Sequence, residues 1–228
     1  MTPIPTMTAM HKTLGFGLSV LLALSMAACG GGPRGRVMSD SEEDQVGNRA
    51  AGAETWDRLV AALRVEVRTK LGRDPTPSGA CIDSQSAKTA HGGAEVGVDG
   101  GKMVRGRKRH VVTDTLGLLL VVLVTAANRD DGTTAPKVLA ELRADRFPRL
   151  AVVWADSKYR NDTLAAWLRG QDRLRVEVTG KPEGQKGFKP LPKRWVVEQT
   201  FAHLTRSRRL VRDFERLPAT SAAMVKLS

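Results

Sequence analysis

Apolar residues recur at helix-like and strand-like spacings along residues 54–228. Those at positions 56, 59, 60, 63 and 67 have helical spacing and predict a helix over residues 54–71, ended by Gly72 and two prolines. Residues 107–114 and 118–125 are rich in valine and leucine, with Thr115-Leu116-Gly117 between them. This arrangement predicts two antiparallel strands joined by a turn.

The elements around this hairpin predict the fold class. A short strand over residues 80–83 and a glycine-rich loop over residues 91–101 precede it. Helix 130–144, strand 150–155, helix 161–169, strand 174–178, a loop over residues 180–192 and helix 194–210 follow. A hairpin followed by alternating helices and strands implies a mixed sheet with helices on both faces. We therefore predict an α/β fold with a ribonuclease-H-like mixed sheet flanked by helices.

The N-terminal residues have a different character. Residues 1–29 combine Lys12, an apolar stretch over residues 14–28 and the small residues before Cys29, which is typical of a bacterial signal sequence. A buried apolar helix is the alternative. Residues 30–53 are polar and lack apolar periodicity, which indicates a flexible linker.

The charge points to a polyanionic partner. The net charge is +12, and residues 1–53 contribute none of it because they contain four basic and four acidic residues. A basic domain attracts nucleic acid through phosphate contacts and counterion release, although a merely basic soluble surface has the same composition. With two cysteines, the chain cannot be a disulfide scaffold.

Three carboxylates stand at positions that suggest a shared site. Asp83 and Asp156 each end a short apolar strand, and such strand ends line the ligand crevice of open α/β sheets. Glu198 lies one position off the apolar stripe of the last helix, so we expect it at the rim. Carboxylates brought together repel one another, and divalent cations remove that penalty. The alternative is that each acid is a solvated residue or a helix cap.

Residues 54–228 resemble bacterial insertion-sequence transposases of the DDE superfamily, of the insertion sequence four/five type. The motifs that carry the resemblance are IDSQS at 82–86, GGK at 100–102, RGRKRH at 105–110, DTLG at 114–117, WADSKYR at 154–160 and LPKRWVVE at 191–198, which runs into residues 201–216. It implies a leading helix over residues 54–75 and a catalytic domain over residues 76–228. Relatives have an N-terminal helical domain, continue beyond Ser228, and carry Arg and Trp at the positions of Gln199 and His203. The resemblance therefore implies a truncated copy.

The resemblance also implies the chemistry. Asp83, Asp156 and Glu198 would bind two Mg²⁺ or Mn²⁺ ions, which would support hydrolysis at the ends of a mobile element and then strand transfer. The expected partner is double-stranded DNA, with a homodimer acting on paired ends in the cytoplasm. Arg194, four residues before Glu198 on the same helical face, would orient that acid, contact a phosphate or form an ordinary helical ion pair. The residues expected to bind DNA are Lys102, Arg105, Arg107, Lys108, Arg109, Lys193, Arg194, Arg206, Arg208 and Arg209.

Two other functions are compatible with the sequence. A remnant that binds DNA without catalysis would keep the basic surface but fail to assemble the three acids. An exported lipoprotein, anchored through Cys29, would carry a passive transposase-like domain. Loss of metal-dependent nicking in an Asp83→Ala variant would distinguish the catalytic domain from the remnant, and membrane fractionation would test for the lipoprotein.

Overall fold

The structure, a computed structural model, describes residues 41–179 and 194–228. The signal-like segment, the first part of the predicted linker, the loop over residues 180–192 and Lys193 lie outside the described residues. The helices are α1 (Ser41–Lys70), α2 (Asp131–Ala140), α3 (Asp162–Leu168), α4 (Trp195–Arg206), α5 (Arg208–Val211) and α6 (Pro218–Lys226). The strands are β1 (Gly79–Lys88), β2 (Gly97–Asp99), β3 (Val104–Asp114), β4 (Leu119–Ala126), β5 (Val152–Ala155) and β6 (Arg175–Val178), and a 3₁₀ turn spans Ser157–Tyr159.

These strands form one mixed sheet. Strand β1 is paired antiparallel with β3 on one side and parallel with β5 on the other, and β6 continues the sheet parallel to β5. Both β2 and β4 pair antiparallel with β3, along its first and its later residues respectively. The mixed sheet flanked by helices confirms the predicted ribonuclease-H-like α/β fold, including the antiparallel hairpin of β3 and β4.

Alternate side chains of β1 enter two separate hydrophobic cores. Ile82 packs on the face covered by α2 and α3, together with Val138 and Leu164. Cys81 packs on the opposite face, where Val197 and Phe201 of α4 lie. A strand covered on both faces must be apolar at consecutive positions, which explains the run from Ala80 to Ile82.

Helix α1 begins at Ser41, whereas the sequence predicted a start at residue 54. Its first thirteen residues therefore fall in the stretch predicted to be a linker. This stretch contains Ala50, Ala51 and Ala53, and alanine is the strongest helix-forming residue type. Helix propensity of this kind produces no apolar periodicity, so the periodicity alone predicts the start of this helix too late in the chain.

Two arginines, rather than the apolar row, attach α1 to the sheet domain. Arg64 donates to the Leu119 carbonyl at 2.9 Å, and the buried Arg68 pairs with the buried carboxylate of Asp114. By contrast, Leu59 and Leu63 are 40% and 51% exposed. Within the described residues no helix is both long and apolar enough to cross a bilayer.

Other elements end at positions different from those predicted. Strand β1 continues to Lys88 rather than ending at Asp83, because its polar half pairs with β3 along its whole length. The glycine-rich loop contains the short strand β2. The predicted helix over residues 194–210 is divided at Ser207, whose backbone is extended with φ −77° and ψ 113°.

The buried guanidinium of Arg107 joins three distant parts of the chain. This side chain is fully buried in strand β3. It donates to the carbonyls of Ala94, Glu215 and Arg216 at 2.7–3.0 Å and pairs with Asp213 at 3.2 Å. Because a guanidinium has five N–H donors, one residue satisfies several carbonyls that would otherwise be buried without partners. Arg107 therefore holds residues 213–216 against the sheet.

We predict that Arg107→Met lowers the free energy of unfolding by about 3–5 kcal/mol, because it leaves the Asp213 carboxylate and several carbonyls buried without their donor. Urea unfolding followed by circular dichroism measures this change. The matched control is Arg105→Met on the same strand, where the side chain is exposed and a change within about 0.5 kcal/mol is expected. Equal losses in the two variants would show that burial of Arg107 is not what stabilises the fold.

Candidate active site

Asp83 and Asp156 lie just beyond the stretch over which two neighbouring strands, β1 and β5, pair in parallel. Strand β5 pairs with β1 through Trp154 and Cys81, so the next residues of both strands leave the paired region on the same side. Asp156 caps the 3₁₀ turn, and its carboxylate accepts from the Lys158 amide at 3.0 Å. The strand register therefore brings both carboxylates to one edge of the sheet, as the sequence predicted.

One arginine lies against both of these carboxylates. The Nη2 atom of Arg194 is 3.5 Å from Asp83 Oδ2 and 4.0 Å from Asp156 Oδ2. Arg194 is buried, and each carboxylate side chain is 20% exposed. The sequence left open an ordinary helical ion pair with Glu198, but the ion pairs of Arg194 within the described residues are with the two aspartates instead. The guanidinium partly compensates two negative charges that would otherwise repel each other.

Burial dominates the ionisation of Asp83. It raises the pKa of this carboxyl group to about 6, and the neighbouring charge of Asp156 acts in the same direction. The Ser84 amide, which donates to Asp83 Oδ1 at 2.7 Å, and the Arg194 guanidinium act in the opposite direction. A bound cation offsets the cost of keeping this carboxylate charged while it is buried.

A third aspartate, Asp131, lies beneath this site at the start of α2. The buried carboxylate accepts from the Ser84 hydroxyl at 2.6 Å and pairs with Lys108 at 3.1 Å. Its negative charge also contributes to raising the pKa of Asp83. Asp131 thus connects the neighbour of Asp83 on β1 to a lysine on β3.

The phenol of Tyr159 is buried close to all three aspartates. Its pKa is well above the ordinary value for tyrosine because of burial and the nearby charges of Asp83, Asp131 and Asp156. Its hydroxyl has no hydrogen-bond partner within residues 41–179 and 194–228. Tyr159 is therefore a neutral, buried wall of the site.

Glu198 is not brought into contact with the aspartate pair. It occupies the first turn of α4, one helical turn after Arg194, and its side chain is exposed. The predicted buried stripe of Val197, Phe201 and Leu204 is confirmed, and Glu198 is adjacent to it. Among the described residues, no group of three acidic, histidine or cysteine side chains is close enough to hold a metal.

Comparison with known proteins identifies the family. The family model described as "Transposase DDE domain" matches residues 74–227, more than half of the chain. The chain belongs to this family. It is also 36% identical over 128 residues to "Putative transposase for insertion sequence element IS402" from Burkholderia cepacia, a match that covers 54% of this chain and 60% of that protein. The chain therefore spans about 60% of the length of this curated relative.

Several of the cations predicted to bind DNA in this transposase domain are buried. Arg107, Lys108 and Arg109 are at most 7% exposed, because β3 is covered on both faces. Lys108 donates to the Arg129 carbonyl at 2.7 Å and Arg109 to the Leu210 carbonyl at 2.8 Å. These three side chains bind the protein interior, so the structure gives no support to the expectation that they contact DNA.

The other predicted DNA-binding cations divide by exposure. Arg194 is buried against the aspartates, and Arg209 is exposed but pairs with Glu215 at 2.8 Å. Solvent-exposed side chains without an ion pair in the described part of the chain are those of Lys102, Arg105, Arg206 and Arg208. The structure thus separates four surface cations from those that stabilise the fold.

Asp131 and Tyr159 are the residues that sequence reasoning missed as parts of the site. Asp130 and Asp131 both stand at the start of the predicted helix over residues 130–144. Asp130 is the cap, accepting from the Thr133 amide at 2.9 Å, and this leaves Asp131 to turn inward. The sequence did contain a signal for Asp131, because an acid in the first turn of a helix that follows a buried strand lies near the sheet edge.

We predict that Asp83→Asn stabilises the folded protein by about 1–3 kcal/mol at pH 8. The folded-state pKa of Asp83 is above its unfolded value, so the wild type loses stability as the pH rises from about 4 to about 6. The asparagine variant lacks this loss, and its advantage disappears near pH 4. Urea unfolding between pH 4 and pH 8 measures the difference.

The matched control for this experiment is Asp172→Asn, the same change at an exposed carboxylate. No pH-dependent gain of comparable size is expected there. An Asp83→Asn variant that is no more stable than the wild type at pH 8 would contradict the assignment of Asp83 as a buried, unfavourably charged group.

Proposed function

We propose that this domain catalyses metal-dependent hydrolysis of phosphodiester bonds at the ends of an insertion sequence, followed by strand transfer by the freed 3′-hydroxyl. The observation that carries the proposal is the pair Asp83 and Asp156, held at one sheet edge against a single cationic group. Membership of a family of phosphoryl-transfer transposases supports it. Strand transfer and the source of the DNA ends are inferred from the family alone.

The two aspartates fit a divalent metal. Their oxygens are hard ligands of the kind that Mg²⁺ and Mn²⁺ prefer, and both carboxylates lie within 4.0 Å of the same cationic nitrogen of Arg194. Glu198, exposed on the next helical turn, is the proposed third ligand. When bound, the metal ions would activate the attacking oxygen and stabilise the leaving oxygen of the displacement.

The residues of the chain have separate proposed roles. Asp83 and Asp156 bind the metal and set its position relative to the sheet. Asp131 holds the Ser84 hydroxyl and the Lys108 ammonium, which stabilises the backbone next to Asp83. Arg194 neutralises the aspartate pair before metal binds, and Tyr159 excludes water from the buried side of the site.

The proposed partner is double-stranded DNA. The family implies DNA binding, and the four exposed cations Lys102, Arg105, Arg206 and Arg208 are available to bind phosphate. Activity on two paired ends would require two copies of the chain. Because its substrate is chromosomal, we place the protein in the cytoplasm.

The decisive experiment measures nicking of a supercoiled plasmid that carries the DNA flanking this coding sequence, with Mg²⁺ or Mn²⁺. We expect Asp83→Asn, Asp156→Asn and Glu198→Gln each to lower the rate by about a hundredfold or more, because each removes several kcal/mol of transition-state stabilisation. EDTA should abolish the reaction. The control is Asp162→Asn, which neutralises an exposed acid on α3.

The outcomes separate the candidate functions. Nicking that persists in both Asp83→Asn and Asp156→Asn would contradict the proposal. A wild-type protein that binds DNA but does not nick it would be a DNA-binding remnant. The exposed position of Glu198 is the observation that favours this alternative.

Replacement of Arg194 tests the proposed metal site through metal affinity alone, with no need for an assay of catalysis. We predict that Arg194→Gln increases the affinity for Mn²⁺ at least about fivefold, because a positive charge near 4 Å from the binding oxygens opposes a second cation even in a medium as polar as water. Isothermal titration calorimetry of the DNA-free protein measures this, with Arg206→Gln at the other end of α4 as the control. Weaker binding in the Arg194 variant would show that the arginine supports the ligands rather than competing with the metal.

A further inference from the structure

A positively charged groove lies at the end of β1 opposite to the strand pairing with β5. It encloses about 270 Å³ and is lined by Lys88, Thr89, Met103, Arg105 and Arg212. The three cationic side chains are all exposed, and within the described residues none has a carboxylate partner within 4 Å. Three cations around one concave surface attract an anion strongly, because their mutual repulsion is relieved only when a negative group enters.

The groove is built by backbone pairing and does not depend on flexible surface side chains meeting by chance. Lys88 is opposite Gly106 in the β1–β3 register, which places Arg105 next to it. The Asp213 amide donates to the Lys88 carbonyl, and the Ala90 amide donates to the Asp213 carbonyl, both at 2.8 Å. This short parallel bridge fixes the adjacent Arg212 on the same surface.

The acid that follows Arg212 in the sequence is directed away from the groove. The Asp213 carboxylate is buried, accepts from the Ser221 hydroxyl at 2.8 Å and pairs with Arg107. It therefore neutralises a cation inside the protein and leaves the positive charge of Arg212 uncompensated at the surface. The same buried ion pair that stabilises the fold thus keeps the groove cationic.

Met103 adds a second feature of a binding surface. It is 78% exposed and has a φ of +52°, a left-handed conformation that favours glycine or asparagine over methionine. Residues held in such a conformation concentrate at functional sites, where the surrounding structure maintains them. An exposed methionine beside three cations offers an apolar contact for the sugar of a nucleotide.

The groove and Asp83 lie along the same strand, and their separation along that strand can be compared with the rise of duplex DNA. Lys88 is five residues after Asp83 on the same strand, which corresponds to about 17 Å at the rise of a β-strand. At 3.4 Å per nucleotide, this distance is about five base pairs. We propose that this groove binds the phosphodiester backbone of duplex DNA about five base pairs from the bond held at Asp83 and Asp156. The choice of duplex DNA as ligand rests on the proposed function.

The salt dependence of DNA binding tests the groove. The full chain and a Lys88→Gln, Arg105→Gln, Arg212→Gln triple variant are titrated into a fluorescent 40-base-pair duplex between 50 and 200 mM NaCl. Each lost phosphate contact should lower the slope of log K against log salt by about 0.9, so the triple variant should lose about 2.7. An unchanged slope would overturn the proposal.

A matched triple variant controls for net charge. It carries Arg58→Gln, Lys137→Gln and Arg169→Gln, three exposed cations on α1, on α2 and just after α3. Its slope should change by less than half as much. Equal changes in both triple variants would show that total charge, and not this groove, governs binding, and would also overturn the proposal. Urea unfolding midpoints confirm that both variants fold.

A cross-link measures the five-base-pair spacing directly. Met103→Cys is combined with Cys29→Ser, the buried Cys81 being left in place, and a photoreactive group is attached to the new thiol. Cross-linked protein–DNA complexes are isolated, Mn²⁺ is added, and the nick is mapped relative to the modified nucleotide. We expect a spacing of about five base pairs, and nicks scattered at random distances would overturn the placement.

These results separate this proposal from the catalytic one. Nicking that depends on Asp83 together with an unaffected salt slope would refute the groove alone. A reduced slope in the triple variant without nicking by the wild type would refute the catalytic proposal and leave the groove as a DNA-binding site. A wild-type chain that does not bind the duplex would refute both.

Discussion

The sheet domain depends on a positive charge that is completely withdrawn from water. Arg107 lies in a strand covered on both faces, and its guanidinium is acceptable there only because carbonyls and one carboxylate surround it. A buried charge without such partners would cost several kcal/mol. The partners come from the glycine-rich loop and from residues 213–216, so one side chain determines where both segments lie. The close approach is possible because Gly93 lies where a Cβ atom would meet the Arg216 carbonyl and the Arg107 guanidinium.

The electrostatics of the candidate active site differ from those around Arg107. Asp83 and Asp156 are adjacent because each comes two residues after the last parallel pair of β1 and β5, and the fold gives them one shared arginine in place of separate partners. The loop that carries Asp156 is held by the start of α2, where Gly132 leaves room for Asn161 and the Lys158 carbonyl. A larger residue at that position would push against this loop. The position of the Asp156 carboxylate therefore depends on a helix that does not itself contact that carboxylate.

The sequence predicted the features that depend on local pattern. The end of an apolar run identifies Asp83 and Asp156, although the strand that carries Asp83 continues to Lys88, and the apolar stripe of α4 places Glu198 next to its buried face. It did not predict the burial of Arg107 and Arg109, because a run of cations in a strand has the same local pattern whether its partners are water or carbonyls. Those carbonyls belong to residues about a hundred positions later, and no local signal connects them. The break at Ser207 was missed for a similar reason, since the apolar pattern continues through Leu210 while the backbone changes direction.

The long-range partners of Arg107 also have a consequence for the order of folding. Strand β3 is synthesised more than a hundred residues before Asp213 and Glu215, so its central arginine has no acceptors from the C-terminal segment while the chain is growing. Closing a loop of that length is entropically costly, and contacts of high sequence separation form late. The hairpin of β3 and β4 therefore stays incompletely buried until residues 213–216 have been synthesised and have docked. Burial of Arg107 is therefore completed only when residues 213–216 dock, after the local pairing of β3 with β4.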